Sequence, residues 1–394
     1  MNILYVSNTC SAPKYTEYVE SKGARISQQA QKYNLLLAEG LSDNGADVLM
    51  ISTRPINRTL SKKIWFKSEK ENTSRLTFHY PSFVNLKGFR QACLLGSVFF
   101  KILFSKYDKR QTAIVCDGLN ITATTAALWA SKIRRYKTVG IVTDVPCHFS
   151  NSQSNSKSQK YNLKLMKKFD AYLLLTEQMN TIVNPKKKPH IVLEGHADLS
   201  MKQVTNLLEN KYDKKICLYA GSLKRIYGIE NLVRGFEAAK IPNAELHIYG
   251  NGDFVKDLKV ISESTPSIKY FGIAPNSKIV EEETKATLLI NPRPTNEDYT
   301  KYSFPSKNME YMASGTPVLT TKLPGMPEDH LEHVYLIEDE SADGMKNALL
   351  HVLSKSDTEL HNKGKEAKAF ILEKKNNVEQ AKKLINMITS KLFI

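Results

Sequence analysis

No apolar run in this 394-residue chain reaches the roughly 18–20 residues that a helix needs to cross a bilayer, so a helical membrane span is excluded. The opening stretch MNILYVSN lacks the basic start and small-residue cleavage site of a signal peptide and reads as a first strand, so a cytosolic location is expected. Cysteine is scarce. Cys10, Cys93, Cys116, Cys147 and Cys217 are scattered, odd in number and without metal-ligand spacing, which points to buried thiols in a reducing compartment. No zinc-finger, RNP or GxxG fingerprint is present, so no nucleic-acid partner is assigned.

What the chain does have is positive charge. Lys and Arg number 56 against 40 Asp and Glu, an excess of 16 that suits an anionic partner. With nucleic acid set aside, an anionic membrane surface and diphosphate ligands lead, a solvated basic surface being the plain alternative. Hydrophobic content of 41% and charged content of 24% are ordinary for a globular protein. The length fits two domains of about 150–200 residues.

Asn2 to Ser7 is a continuous apolar strand, Ser27 to Gly45 has the 3.6-residue periodicity of a helix, and Ala46 to Thr53 is a second strand. Strands apolar on both faces imply a parallel sheet covered by helices. The intervening polar loop, Asn8 to Ile26, holds Lys14, Lys22, Gly23 and Arg25. Lys87 to Lys106 combines Phe89, Phe100, Leu103 and Phe104 with Lys87, Arg90, Lys101 and Lys106. That is the composition of an interfacial helix drawn to anionic lipid, or of a buried helix whose lysines snorkel. Thr112 to Cys116 and Thr138 to Thr143 are further strands, followed by Asp117 and Asp144, with His148 four residues beyond the latter. Ser150 to Lys160 reads as a polar surface loop. A domain boundary is expected near Asn206 to Lys215, giving domains 1–205 and 206–374 and a closing segment 375–394.

The second half repeats strand, glycine turn, helix. Ile216 to Ala220 leads into Gly221, Ser222, Lys224, Arg225 and Gly228, and then a helix from Ile229; such a turn offers N–H donors and a helix dipole to phosphate. Ala244 to Tyr249 leads into Gly250 and Gly252, Ile268 to Phe271 into Gly272 and Ile273, and Ala286 to Ile290 into Arg293. Arg293 thus arrives at the carboxyl edge of a strand, where a fixed guanidinium fork suits a diphosphate. The stretch Tyr302 to Val318, YSFPSKNMEYMASGTPV, places Ser306 at a helix start, Lys307 to neutralise phosphate, and Glu310 one turn in. An ionised carboxylate there could accept two hydrogen bonds from a vicinal diol such as ribose; the alternative is an ordinary amphipathic helix with a solvated glutamate.

EYMASGTPV, preceded by FPSK and followed by KLPGMPED, resembles the donor-site signature of the family 4 retaining glycosyltransferases, in the branch that builds bacterial capsule and exopolysaccharide. The resemblance implies the α/β GT-B fold, two facing Rossmann-like doubly wound domains with the active site in the cleft between them. It implies transfer of a sugar from a nucleotide-diphosphate sugar, UDP-linked by first choice, to a saccharide or polyprenyl-diphosphate-linked acceptor held by the N-terminal domain. In that scheme Lys307, Arg293 and the helix start at Ser306 stabilise the departing diphosphate, and Glu310 anchors the ribose. Asp144 stands where the family often has a histidine facing the donor sugar, with His148 a neighbouring candidate and a capping role the alternative for either. Ile273 falls at the nucleobase turn, where plain turn chemistry is the alternative.

Several positions depart from the family pattern. Ser222 and Tyr227 occupy the places of its arginine and lysine, Tyr302 that of its first glutamate, and Gly23 stands alone where a glycine pair is usual. Lys224 and Arg225 are the candidate substitutes. No cofactor or metal is expected, the donor being a substrate and no aspartate-x-aspartate motif being present. The location implied is cytoplasmic, peripheral on the inner face of the plasma membrane through residues 87–106. A non-hydrolysing nucleotide-sugar epimerase and a non-catalytic basic surface-binding protein are the alternatives on the same fold.

Overall fold

The computed structural model describes residues 1–21, 28–146, 157–304 and 306–393. They fall into two compact units, Met1–His196 with the segment from Asn377, and Ala197–Asn376.

In the first unit Ile3, Leu4, Tyr5 and Val6 are all fully buried, as expected of a strand covered on both faces. This strand, β1 (Asn2–Ser7), lies in a sheet with β2 (Asp47–Ser52), β4 (Glu69–Asn72), β5 (Thr77–Tyr80), β7 (Thr112–Asp117), β8 (Lys137–Val142), β9 (Ala171–Leu174) and β10 (His190–Val192). The order is β10-β9-β8-β7-β1-β2-β5-β4, parallel except for β4 on β5. A separate antiparallel pair joins β3 (Trp65–Phe66) to β6 (Phe83–Val84). The helices are α1 (Ala12–Thr16), α2 (Gln28–Asp43), α3 (Phe89–Leu103), α4 (Ile121–Arg134), α5 (Lys157–Met166) and α6 (Glu177–Val183). The expected loop at 8–26 is therefore partly helical, with Pro13 in the first turn of α1, where its missing N–H costs nothing. Residues 22–27, with Lys22, Gly23 and Arg25, lie outside the described part, as do Cys147, His148 and most of the 150–160 stretch.

α3 has one buried and one exposed apolar side. Leu94, Val98 and Ile102 are buried, whereas Phe89, Phe100 and Phe104 are 66%, 54% and 73% exposed. Among the described residues no helix is long and apolar enough to cross a membrane.

The second unit is a six-stranded parallel sheet: β11 (Lys215–Ser222), β12 (Ala244–Asn251), β13 (Ile268–Gly272), β14 (Leu288–Asn291), β15 (Val318–Thr321) and β16 (Tyr335–Ile337). Its order, β13-β12-β11-β14-β15-β16, is that of a doubly wound nucleotide-binding sheet. One face is packed by α7 (Ile229–Ala239), α8 (Val255–Ser264) and α12 (Ala342–Leu353), through Leu232, Phe236, Leu258 and Leu349. The other is packed by α9 (Asn276–Lys285), α10 (Ser306–Ser314) and α13 (Asp357–Lys374), through Ile279, Met309, Met312 and Phe370. A short α11 (Glu328–Leu331) precedes β16.

Residues 197–215 already belong to this unit, so the division falls earlier than the expected 206–215. The Asn206 amide donates to Ser314 O and Thr316 Oγ1, both at 2.9 Å, and Lys211 Nζ donates to Ala286 O at 2.8 Å. These polar residues look like a linker in sequence but are tied down by backbone acceptors.

The last helix, α14 (Asn377–Leu392), belongs to the first unit and lies on α2. Its Asn377 amide donates to Leu36 O at 3.2 Å, and Asn44 donates to Val378 O at 2.8 Å. A Cβ on Gly40 would stand 2.2 Å from Asn377 O, so the two helices touch at backbone distance. Replacing Gly40 by Ala sets a helix-propensity gain of about 1 kcal/mol against an overpacking cost of about 1–3 kcal/mol. The clash is with backbone that cannot rotate away. Gly40→Ala should therefore lower the melting temperature, and an unchanged or raised value would show that the helices separate freely.

Candidate functional site

In the second unit the strand order reverses between β11 and β14, and ligands of doubly wound sheets collect outside the carboxyl ends of the strands at such a point. Two loops meet there. Gly228 has φ +77°, and a Cβ on it would lie 2.0 Å from Pro292 O, so only glycine lets the start of α7 approach the end of β14. Gly252 is equally confined, a Cβ there falling 2.2 Å from the carbonyl carbon of Leu223. The β11 and β12 loops are further joined by Leu223 N donating to Asn251 O at 2.9 Å and Phe254 N to Leu223 O at 3.0 Å.

Arg293 leaves the end of β14 half-buried, its carbonyl accepting from Thr321 Oγ1 at 2.5 Å. Its guanidinium lies 4.6 Å from the ring centre of Tyr227 and 5.5 Å from that of Tyr299. The two rings stand edge to face at 6.0 Å, and Tyr299 is pinned by donating to Ile226 O at 3.2 Å. Among the described residues Arg293 has no carboxylate at ion-pair distance; its polar side-chain contact is Ser303 Oγ at 3.5 Å. This is a cation held by aromatic faces, with its hydrogen-bonding edge uncommitted to an acid.

The chain then passes through Tyr302, half-buried in a short 3-10 turn, to α10. Three buried contacts fix that helix. Asn291 Nδ2 donates to Asn308 Oδ1 at 2.7 Å, and Asn308 Nδ2 donates to Thr320 Oγ1 at 3.3 Å, joining β14, α10 and β15. The hydroxyl of Tyr311 accepts from Ala220 N at 2.8 Å and donates to Ala220 O at 3.2 Å, joining α10 to β11. Ser306 is thereby the first residue of a helix whose start lies at the carboxyl edge of the sheet. Lys307 and Glu310 pair with each other at 2.8 Å, 25% and 22% exposed. Burial opposes the charge on Lys307, but Glu310 and the buried Glu283 outweigh it and hold its pKa above the ordinary lysine value.

Other expected residues are placed differently. Arg225 is exposed and turned to Glu230 and to Asp257, the latter at 2.5 Å, with Phe254 beneath it at 4.8 Å. Its charge is spent on those acids. Lys224 and Ser222 are exposed, Gly221 is the penultimate residue of β11, and Ile273 is 76% exposed on the turn after β13. In the first unit Asp144 follows β8 half-buried, and its buried Oδ1 has no hydrogen-bond partner among the described residues. Burial raises its pKa to about 6, the Val145 amide working against that shift. Asp117, at the end of β7, is raised to about 6 for the same reason and accepts from Leu119 N at 3.0 Å. His148 lies outside the described residues.

Sequence reasoning passed over Tyr299 and Tyr311, and treated Tyr227 only as a departure. Nothing local marks them, because each works through a partner 66 to 91 residues away or through a neighbouring loop.

Residues 214–355 match the family described as Glycosyl transferases group 1. Solved structures align over nearly the whole chain. A sucrose-phosphate synthase from Thermosynechococcus elongatus matches with TM-score 0.68 at 15% identity, covering 99% of this chain and 100% of that one. A glycosyltransferase from Rickettsia africae ESF-5 matches with TM-score 0.68 at 16% identity, covering 99% and 98%. HepE of Anabaena in complex with UDP-glucose matches with TM-score 0.64 at 14% identity, covering 99% and 100%. The fold is GT-B. No curated protein matches the chain.

Within this GT-B fold the Tyr311 clasp is testable. Removing its hydroxyl leaves a buried amide unpaired, at about 1–3 kcal/mol. Tyr311→Phe should therefore lower the melting temperature of the chain, and wild-type stability in that variant would show that the clasp contributes nothing.

Proposed function

We propose that this chain is a glycosyltransferase that moves a sugar from a nucleotide-diphosphate sugar, with UDP as the nucleotide, to a saccharide or polyprenyl-diphosphate-linked acceptor in cell-surface polysaccharide synthesis, with retention of configuration. The observation that carries this reading is Arg293, a guanidinium without an acid partner among the described residues, at the switch point of a doubly wound sheet. The family match over residues 214–355 covers that sheet, and the similarly folded HepE is described in complexes with UDP and UDP-glucose.

The leaving group is a nucleoside diphosphate, so the charge growing on it as the anomeric C–O bond breaks is the main burden on the catalyst. Arg293, Lys307 and the N–H groups at the start of α10 are assigned to it, and the proposal names no metal ion. Glu310, which steadies Lys307 here, accepts from the ribose hydroxyls, and Ile273 lies beside the nucleobase.

Lys307→Ala should reduce turnover by about 10²–10³-fold with the fold retained, while Glu310→Ala chiefly weakens UDP binding in calorimetry. Near-normal transfer by the first variant, or unaltered UDP affinity in the second, removes that residue from its role. A thermal-shift screen of UDP-, GDP- and ADP-sugars fixes the nucleotide, and turnover of UDP-GlcNAc without acceptor would identify an epimerase instead.

Asp144 gives a pH signature. If its carboxylate takes the acceptor proton, activity rises through about pH 6 and Asp144→Asn lacks that limb. The same raised pKa means the folded state resists ionisation. Wild type therefore loses stability relative to Asp144→Asn as pH rises from about 4 to about 6. Melting curves of the two proteins across that range check the sign, and parallel curves would show that burial does not perturb the group.

A further inference from the structure

At the amino ends of β8 and β9, the edge of the first sheet opposite to Asp117 and Asp144, lies a cavity of about 300 Å³. That volume is at the lower end of the roughly 300–1,000 Å³ of small-molecule sites. Leu128, Tyr136 and Leu165 wall it, and Trp129 of α4, 51% exposed, lines it. Tyr136 is 3% exposed; its hydroxyl donates to Tyr107 O at 2.9 Å and accepts from Arg134 Nη2 at 2.8 Å. This wall cannot shift without breaking those bonds.

The rim is cationic. Lys132, Arg135, Lys137 and Lys168 line the cavity, all exposed, and among the described residues none of them has a carboxylate at ion-pair distance. The acid among the lining residues, Asp170, accepts from Thr138 N at 2.9 Å and Thr138 Oγ1 at 2.8 Å, which commits it to the start of β8. Arg135 follows α4 with φ +55°, a left-handed position that glycine usually fills, and its N–H closes the helix on Ser131 O. An arginine held in this conformation brings a guanidinium to the rim where glycine would bring none.

Helix carboxyl ends attract basic residues for their own sake, each end carrying about half a negative charge. α4 and α5 both end beside this cavity, and together with Asp170 they offset about two of the four positive charges. The charge left over suits a diphosphate, with the Arg135 fork able to grip two of its oxygens. An exposed tryptophan alone is ordinary. Beside unpaired cations its ring is a stacking surface for a planar base, a contact that tolerates any base.

We infer that this cavity is a second nucleotide site, taking a nucleoside diphosphate whose base lies on Trp129 and whose phosphates meet Arg135, Lys137 and Lys168.

The chain has two tryptophans, Trp65 and Trp129, so Trp65→Phe makes Trp129 the sole indole reporter. UDP titrated into that variant should quench its fluorescence to saturation, with a midpoint that rises with salt. Inorganic pyrophosphate should bind more weakly than UDP, and uridine should leave the signal unchanged. Lys137→Gln combined with Lys168→Gln should raise the UDP midpoint about tenfold at unchanged melting temperature, both residues being exposed. In calorimetry the wild-type chain should take two UDP, one weakened by that double substitution and the other by Glu310→Ala. One UDP per chain with the full Trp129 response would support this site and count against the donor site. No saturable quenching, a response unmoved by the double substitution or lost in Glu310→Ala, or equal midpoints for UDP and pyrophosphate would overturn the inference.

Discussion

The chemistry available at the edge of the second sheet depends on how the start of α10 is held. A buried tyrosine hydroxyl cannot be left idle, and the one on Tyr311 satisfies both the amide and the carbonyl of Ala220, just where β14 has ceased to pair with β11. The Asn291–Asn308–Thr320 chain repeats the device on the other side. Because these groups have no water to fall back on, the helix has one register relative to three strands, and Ser306, Lys307 and Glu310 inherit that register. Arg293 is positioned independently, by its own carbonyl and by two tyrosine rings.

Much of this was legible. Continuous apolar runs at 2–7, 112–116 and 216–220 could only be strands buried on both faces, and the glycines after them marked turns at the carboxyl edge. The FPSK…EYMASGTPV stretch marked the helix that the structure shows at Ser306–Ser314. What sequence could not show was which cations are already taken. Arg225 and Arg293 look alike as residues after strands, yet Glu230 and Asp257 claim the first while tyrosines cradle the second. Tyr227, which seemed a loss against the family pattern, is the platform under Arg293, a relation set by a contact between loops 66 residues apart.

The first unit was harder to read. β4, EKEN, is wet on nearly every residue because it is an antiparallel edge strand, so no apolar alternation announces it. The basic aromatic tract of α3 could be recognised by composition, but whether its phenylalanines faced inward or outward required the neighbours against which Leu94, Val98 and Ile102 pack. The boundary between the units was expected near Asn206 to Lys215 rather than at His196 because Asn206 and Lys211 have linker-like identities and core-like hydrogen bonds.

The return of α14 to α2 makes the first unit discontinuous along the chain. During synthesis, residues 1–196 emerge long before their closing segment, and Leu37 and Leu41 must wait with an uncovered face while the second unit is made and folds. A chain cut after Asn376 would therefore keep every residue of the second unit while Leu37 and Leu41 of the first stay uncovered and prone to aggregate.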